Sequence, residues 1–114
     1  MPVSRPDGLL DWVQARGETE RVGLFGISEM VGEVVGDSVF QSVDLLLIPA
    51  AAIDSTGMRM GWGRGYFDRA LASLRKPPPV FAVVYDDEVL DSVPAEGHDR
   101  PVDGVVTPSQ TREF

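Results

Sequence analysis

The sequence predicts a small α/β protein with a short, mainly parallel sheet in a three-layer, Rossmann-like arrangement. Two nearly continuous apolar runs, 43–48 and 80–85, indicate buried strands, because strands covered on both faces are apolar almost throughout. Between the two runs, Phe67, Leu71 and Leu74 recur at helical spacing. Strand, helix and strand together make a βαβ unit, in which the two strands are parallel.

The remaining elements are less clearly marked. The first 42 residues carry frequent glycines and no strong periodicity, so we expect extended loops with short strands there. The helix begins at Tyr66 and is stopped by three consecutive prolines. A last short strand is expected at 104–107. The chain of 114 residues is therefore predicted to be one domain, with a loop-rich lead-in at 1–42 and a βαβ core at 43–107.

Composition excludes several classes of protein. The formal net charge of −8 argues against a nucleic-acid partner. No apolar run approaches the roughly 20 residues that span a membrane. The chain has no cysteine, which excludes disulfides, thiolate catalysis and cysteine-bound zinc. A cytoplasmic location is the expectation that follows.

The loop after the first strand carries the strongest chemical signal. Gly61, Gly63 and Gly65 alternate directly before the predicted helix, with Arg59 and Arg64 among them. Glycines allow backbone N–H groups to approach a ligand closely, and arginines bind phosphate oxygens in pairs of hydrogen bonds. The loop is therefore either a phosphate cradle or a flexible turn that caps a helix. The spacing fits neither the P-loop nor the dinucleotide fingerprint.

Two carboxylates are candidates for a magnesium site. Asp68 lies in the first turn of the predicted helix, where it either complements the helix dipole or binds Mg²⁺ beside a phosphate. Asp99 follows the second strand and could reach the same edge of the sheet. His98, the only histidine, has no nearby serine or cysteine nucleophile, which argues against a hydrolase triad.

The stretch from 43 to 107 resembles the C-terminal half of the 5-formyltetrahydrofolate cyclo-ligase family. The resemblance rests on Asp44-Leu45-Leu46-Leu47-Ile48-Pro49, Ala52-Ile53-Asp54, Gly57, Arg59-Met60-Gly61, Gly63, Gly65-Tyr66-Phe67-Asp68-Arg69 and His98-Asp99-Arg100-Pro101-Val102-Asp103. Upstream, Phe25-Gly26-Ile27-Ser28-Glu29 matches a further motif of the family. The chain departs from the family pattern at Met30, where the family has Pro, and at Met60 and Phe67, which stand for Leu and Tyr.

The resemblance implies a reaction in which ATP phosphorylates the formyl oxygen of 5-formyltetrahydrofolate and 5,10-methenyltetrahydrofolate forms. It implies catalytic roles for Arg59 and Tyr66. Trp62 and Tyr66 are expected beside the pterin because aromatic rings suit a flat ligand, with simple packing as the alternative for Trp62. Its magnesium ligands correspond to Asp68 and Asp99. Its ATP loop corresponds to Arg59, Met60, Gly61, Trp62, Gly63, Arg64, Gly65, Tyr66 and Phe67.

Family members are longer at the amino end, where a basic helix supplies Lys and Arg to ATP and a Glu contacts folate. The resemblance thus implies a partial domain that begins after both, and a partner that is a complementing N-terminal segment or a second copy. Two hypotheses stay open at this point. The chain is an enzyme of folate one-carbon metabolism, or it is a non-catalytic nucleotide-binding or interaction module left from such an enzyme.

Overall fold

The computed structural model describes residues 1–61, 65–94 and 101–114, and of residues 16–19 only the backbone. The helical elements of these ranges are α1 Asp37–Phe40, α2 Tyr66–Ala72 and a 3₁₀ turn at Asp86–Glu88. The strands are β1 Pro2–Ser4, β2 Leu10–Val22, β3 Ser28–Val35, β4 Leu46–Pro49, β5 Ala52–Asp54, β6 Arg59–Met60, β7 Val80–Val83, β8 Val89–Leu90, β9 Gly104–Val106 and β10 Thr111–Glu113.

The central sheet has the strand order β10-β9-β7-β4. Strands β4 and β7 are parallel neighbours, with Leu46 opposite Val80 and Ile48 opposite Ala82. Strand β9 continues the parallel pairing on the other side of β7, and β10 closes the sheet in the antiparallel direction. The predicted parallel pairing of the two apolar runs is confirmed, although each strand is shorter than its run.

One face of this sheet holds the core. Ile48, Ala82 and Val105 point to that face and are at most 1% exposed. Leu71 from α2 and Phe40 from α1 belong to the same cluster, so both helices cover this face. Burying such a side chain contributes about 1.5–3 kcal/mol relative to leaving it in water.

Helix α2 ends at Ala72, earlier than the prolines that were expected to stop it. The Ser73 hydroxyl donates to the Ala70 carbonyl at 2.6 Å. The side chain of Gln41 donates to the Ser73 carbonyl and accepts from the Arg75 N–H. These bonds satisfy backbone groups that a further helical turn would otherwise have paired.

The first 42 residues contain long strands, which corrects the expected loop-rich lead-in. Strands β2 and β3 form an antiparallel hairpin with an irregularity between Ala15 and Glu20. A Cβ on Gly32 would lie 2.2 Å from the Gln14 carbonyl oxygen, so this glycine permits close strand approach. Gly26, at φ +72°, serves the turn instead. The glycines of this region indicate loops in the sequence, but Gly32 is required inside a strand.

Three short strands form a third sheet, in the order β6-β5-β8, besides the central sheet and the sheet β1-β2-β3 that contains the hairpin. Strand β5 is antiparallel to β6 and parallel to β8. The described part of the chain is thus an α/β fold with mixed sheets and few helices. Both α-helices lie on one face of the central sheet, so the three-layer and Rossmann-like details are not confirmed. No helix in the described ranges is long and apolar enough to cross a membrane.

Candidate functional site

Arg59 is the buried cation of the candidate site. Strand pairing places it opposite Ile53, and only 5% of its side chain is exposed. Its Nη2 donates to Asp68 Oδ1 in a short contact. Its Nε is buried and has no hydrogen-bond acceptor among the residues that the structure describes. Because a buried donor without an acceptor is costly, this N–H suits an acceptor oxygen supplied from outside those residues.

Asp68, the predicted metal ligand, contacts Arg59, the predicted phosphate ligand. It lies in the first turn of α2, and 45% of its side chain is exposed. The described ranges contain no group of three or more His, Cys, Asp or Glu that could hold a metal ion. Mg²⁺ is commonly held by one or two carboxylates together with phosphate oxygens and water. Asp68 offers one carboxylate, whose Oδ1 is engaged by Arg59, so a Mg²⁺ ion there would need phosphate oxygens and water to complete its coordination.

Gly61 and Gly65 provide room for arginine side chains. A Cβ on Gly61 would lie 3.3 Å from Arg59 Nη1, and one on Gly65 would lie 2.7 Å from Arg69 Nη1. Gly65 also precedes α2 with φ +72°, a conformation that glycine adopts without strain. The glycines expected to admit a ligand thus also admit two guanidinium groups.

Arg69 joins α2 to the turn between β1 and β2. Its Nε donates to the Gly8 carbonyl at 2.7 Å, a contact across 61 positions of sequence. Its guanidinium carbon lies 5.5 Å from the ring centre of Tyr66. The residue stands close to the candidate loop in sequence, and its contacts in the structure connect the first turns of α2 to Gly8.

Tyr66 has a structural partner at each end of its side chain. Its hydroxyl donates to the Arg5 carbonyl at 2.5 Å, and its ring meets Phe25 edge to face at 5.8 Å. Of its predicted neighbours in the ATP loop, Met60 is 38% exposed and Phe67 packs against the core. Tyr66 therefore holds the hairpin against the start of α2, while Phe67 attaches the helix to the hydrophobic core.

Asp54 organises the turn that leads to Arg59. Its carboxylate is buried, 4% exposed. Oδ1 accepts from the hydroxyl and the N–H of Thr56 and from the N–H of Met58, and Oδ2 accepts from the N–H of Val93. The Thr56 hydroxyl and these backbone donors lower the pKa of Asp54 against the opposing effect of burial.

Sequence reasoning used Asp54 only as part of a family pattern and assigned it no role at the site. A signal was available, because an aspartate followed by Ser-Thr-Gly is typical of a turn in which the carboxylate bonds the backbone two residues on. The bond to Val93, 39 positions away, had no such local signal.

The same turn also contacts the chain beyond the second candidate carboxylate. The Gly57 carbonyl accepts from the Val102 N–H at 2.8 Å. A Cβ on Gly57, whose φ is +85°, would lie 2.4 Å from the Val102 carbonyl oxygen. Val93 and Val102, which flank residues 95–100, are therefore both held beside the turn before Arg59. Asp99 and His98 lie outside the described residues, as do Trp62, Gly63 and Arg64.

A cavity of about 310 Å³ lies between the hairpin and the helices. Its lining includes Arg5, Trp12, Phe40 and Arg69. Trp12 and Phe40 are stacked, with ring centres 4.8 Å apart and planes 15° from parallel. The volume is at the lower end of the range for small-molecule pockets. The carboxylates of Asp11 and Asp37 also line the cavity and balance the two arginines, and Arg5 is paired with Asp11 at 3.4 Å.

Comparisons with known proteins agree on one family. The sequence model of the 5-formyltetrahydrofolate cyclo-ligase family matches residues 1–108. A 5-formyltetrahydrofolate cyclo-ligase from Mycolicibacterium smegmatis is 37% identical over 120 residues, a match that covers 96% of this chain and 59% of the relative. The Escherichia coli cyclo-ligase is 36% identical over 74 residues, covering 63% of this chain and 40% of the relative.

The solved structures agree with the curated relatives. The structure of Aquifex aeolicus 5,10-methenyltetrahydrofolate synthetase superposes with a TM-score of 0.74 at 32% identity, over 98% of this chain and 56% of that one. A synthetase from Mycoplasma pneumoniae, at 20% identity and a TM-score of 0.61, shows the same fold. The chain thus spans about three fifths of the length of the M. smegmatis relative and of the A. aeolicus structure.

Proposed function

The chain belongs to the 5-formyltetrahydrofolate cyclo-ligase family, and we propose that it serves the ATP-dependent conversion of 5-formyltetrahydrofolate to 5,10-methenyltetrahydrofolate. The observation that carries this proposal is Arg59, a buried guanidinium that contacts Asp68 and keeps its Nε without an acceptor among the described residues. Such a group suits an anionic ligand, because charge-assisted hydrogen bonds from arginine to phosphate are strong and directional.

In this proposal, residues 59–67 form the phosphate loop. Arg59 donates to phosphate oxygens through its Nε, which has no acceptor among the described residues. Asp68 holds Mg²⁺, with Asp99 as a second ligand. ATP bound there with Mg²⁺ transfers its terminal phosphoryl group to the formyl oxygen, and ADP is the leaving group. The other folate nitrogen then attacks the activated formyl carbon, the C–O bond breaks and phosphate leaves. Phosphoryl transfer depends chiefly on positioning and charge neutralisation, so it needs no nucleophilic side chain from the protein.

Tyr66 contributes by position. Its hydroxyl is bonded to the Arg5 carbonyl and its ring lies against Phe25, so both hold the hairpin at the edge of the loop. The two rings meet edge to face, at 70°, so each offers its own aromatic face to a pterin ring, and Trp62 is proposed to add to this aromatic surface. The net charge of −8 supports a small-molecule substrate over a nucleic acid. A cytoplasmic location stays part of the proposal.

A second candidate function is a non-catalytic nucleotide-binding or interaction module. The observation that favours it is length, since the chain spans 59% of the M. smegmatis relative whose activity is named. We therefore expect low turnover by the 114 residues alone, together with retained affinity for MgATP.

The experiment combines binding and turnover. Calorimetric titration with MgATP compares the chain with Arg59→Met and with Arg21→Met, a matched control because Arg21 is an exposed arginine on the hairpin. We expect Arg59→Met to weaken binding by about tenfold to a hundredfold, the effect of losing one strong charged hydrogen bond. The control should bind like the unaltered chain. Equal affinity in all three proteins would contradict the phosphate role of Arg59.

Turnover separates the two candidate functions. Formation of methenyltetrahydrofolate is followed by its absorbance, first with the chain alone. It is then followed after addition of the part of the M. smegmatis relative that this chain does not match. Turnover in either reaction supports the enzyme. Binding of ATP without turnover in both reactions supports the non-catalytic module.

A further inference from the structure

Asp54 carries a buried charge that the proposed reaction does not use. It lies at the end of β5 and is 4% exposed. Its Oδ1 accepts from Thr56 and Met58, and its Oδ2 accepts from the N–H of Val93. A buried charge is costly unless hydrogen bonds compensate it, and these donors belong to two separate parts of the chain. An asparagine oxygen could close the local turn, but its NH₂ group could not accept from the second part.

The turn that Asp54 closes leads directly into Arg59. The Asp54 N–H donates to the Met58 carbonyl at 3.0 Å, and the Gly57 N–H donates to the Asp54 carbonyl at 3.1 Å. Together with the side-chain bonds, these contacts fix the backbone from 54 to 58, and Arg59 is the next residue. Nε is the guanidinium nitrogen nearest the backbone, so its position follows the backbone more closely than that of either Nη atom. The turn therefore sets where this buried donor lies.

The same turn is attached to a distant stretch of chain at two points. Val93, whose N–H is bonded to Asp54, lies 39 positions away. The Val102 N–H donates to the Gly57 carbonyl at 2.8 Å, and a Cβ on Gly57 would lie 2.4 Å from the Val102 carbonyl oxygen. A shift of the whole turn would break both attachments. The attachment at Val93 depends on a side chain, and that side chain is Asp54.

We propose that Asp54 is a positioning residue for the phosphate-binding group. It holds the turn between its local donors and Val93, and thereby places Arg59 Nε where a phosphate oxygen accepts from it. The inference rests on the proposed function, because Asp54 acts through Arg59. Asp54 itself does not contact the phosphate, since its oxygens face N–H and O–H donors and a second anion would be repelled. A misplacement of about 1 Å costs about a hundredfold in rate, so a residue that only fixes the backbone affects the reaction.

The alternative role of Asp54 is stabilisation of the fold alone. Both roles predict that Asp54→Asn unfolds more easily, so unfolding does not distinguish them. The MgATP affinity of the folded protein does. Only a positioning role makes the effect of Asp54 on affinity depend on Arg59, and a double-mutant cycle measures this dependence.

The cycle compares the unaltered chain with Asp54→Asn, Arg59→Met and the double variant. MgATP affinity is measured by calorimetry at a temperature where circular dichroism shows each protein to be folded. We expect Asp54→Asn to weaken binding by about tenfold while Arg59 is present, and to cause no further loss in Arg59→Met. Asp91→Asn removes the same charge at an exposed position, and Leu74→Ala removes a buried side chain just beyond α2. Both controls should bind MgATP like the unaltered chain.

Two substitutions at Thr56 provide the same test if Asp54→Asn does not fold. Thr56 is exposed, and its hydroxyl donates to Asp54 Oδ1 at 2.5 Å. Thr56→Ser keeps this donor, whereas Thr56→Val removes it at almost the same side-chain size. We expect the serine variant to bind MgATP like the unaltered chain. The valine variant should bind about threefold more weakly, the size of effect expected from one neutral hydrogen bond.

Equal losses from Asp54→Asn with and without Arg59 would overturn the inference, because they would assign the effect to the fold as a whole. Unchanged affinity of Asp54→Asn, or equal affinity of the two Thr56 variants, would also overturn it. Failure of the proposed function looks different, since it would appear as unchanged affinity of Arg59→Met. In that case the positioning role of Asp54 would fall with the phosphate role of Arg59.

Discussion

The carboxylate of Asp54 accepts a hydrogen bond from the backbone N–H of Val93, at 3.2 Å and across 39 positions of the chain. The other oxygen of the same carboxylate accepts from Thr56 and Met58, at the turn before Arg59. One buried anion thus connects the strand that presents the candidate phosphate ligand to the segment that leads towards Asp99. The geometry of the candidate site depends on a residue that is not expected to touch the ligand.

Replacement of Asp54 by Asn should destabilise the protein by about 2–4 kcal/mol. Asn presents one acceptor oxygen and an NH₂ group, so N–H donors that now face the carboxylate would meet another donor. Urea unfolding measures the loss. Asp91→Asn is the control, because Asp91 is exposed and its replacement removes the same charge. Equal unfolding free energies for the two variants would show that the Asp54 bonds contribute little.

Stability should also depend on pH through Asp54. The Thr56 hydroxyl, followed by the backbone donors, lowers the pKa of this carboxyl below its ordinary value of 3.8 in the folded chain. Between the folded and the ordinary pKa the unfolded chain binds more protons, so stability rises with pH. The contribution is therefore complete above about pH 4 to 5 and is lost as pH falls through the lowered pKa.

The variant Thr56→Val tests this cause. It removes the hydroxyl and keeps the shape of the side chain, so the pKa of Asp54 should rise towards 3.8. Titration of the side-chain carboxyl carbon by NMR reports the change directly. Acid unfolding of the variant should begin at higher pH than in the unaltered chain. An unchanged titration would assign the lowered pKa to the backbone donors instead.

Asp68 should matter for ATP only when Mg²⁺ is present. In Asp68→Asn the carboxylate proposed to hold the metal is lost, and Arg59 also loses its anionic partner. We expect MgATP to bind about tenfold more weakly and ATP without Mg²⁺ to bind equally well or better. Calorimetry with Mg²⁺ and with a chelator distinguishes the cases, and Asp87→Asn provides an exposed control. A loss of the same size in both conditions would contradict the metal role.

Replacement of Gly65 by Ala should cost about 1–3 kcal/mol. The added Cβ would meet both an unfavourable φ of +72° and Arg69 Nη1 at 2.7 Å. Two other glycines separate these effects. Gly26 has the same φ with nothing within 4 Å of an added Cβ, and Gly36 has neither constraint.

Thermal unfolding of the three Gly→Ala variants should therefore rank Gly65 as the most destabilised and Gly26 next, with Gly36 close to the unaltered chain. A Gly65 variant no less stable than the Gly26 variant would show that Arg69 moves aside without cost. MgATP binding to the same proteins then reports whether the position of Arg69 matters for the loop.

Local patterns in the sequence were enough to predict the parallel pair of strands and the helix between them. The apolar runs at 43–48 and 80–85 predict strands buried on both faces, whereas only one face of each strand is fully buried in the structure. The spacing of Phe67, Leu71 and Leu74 predicts a helix. The family could also be recognised from the sequence, because the arginine, glycine and aspartate positions from Arg59 to Asp68 form a specific motif. These signals are local, since each depends on residues within one or two turns of chain.

The contacts of the candidate residues could not be predicted from the sequence and became known only from the tertiary structure. Nothing in the spacing shows that Arg59 meets Asp68, that Tyr66 donates to Arg5, or that Asp54 reaches Val93. The long hairpin was also missed, because its glycines suit loops locally and Gly32 is explained only by the backbone of the opposite strand. Such contacts join positions far apart in the chain, and they form because packing brings those positions together.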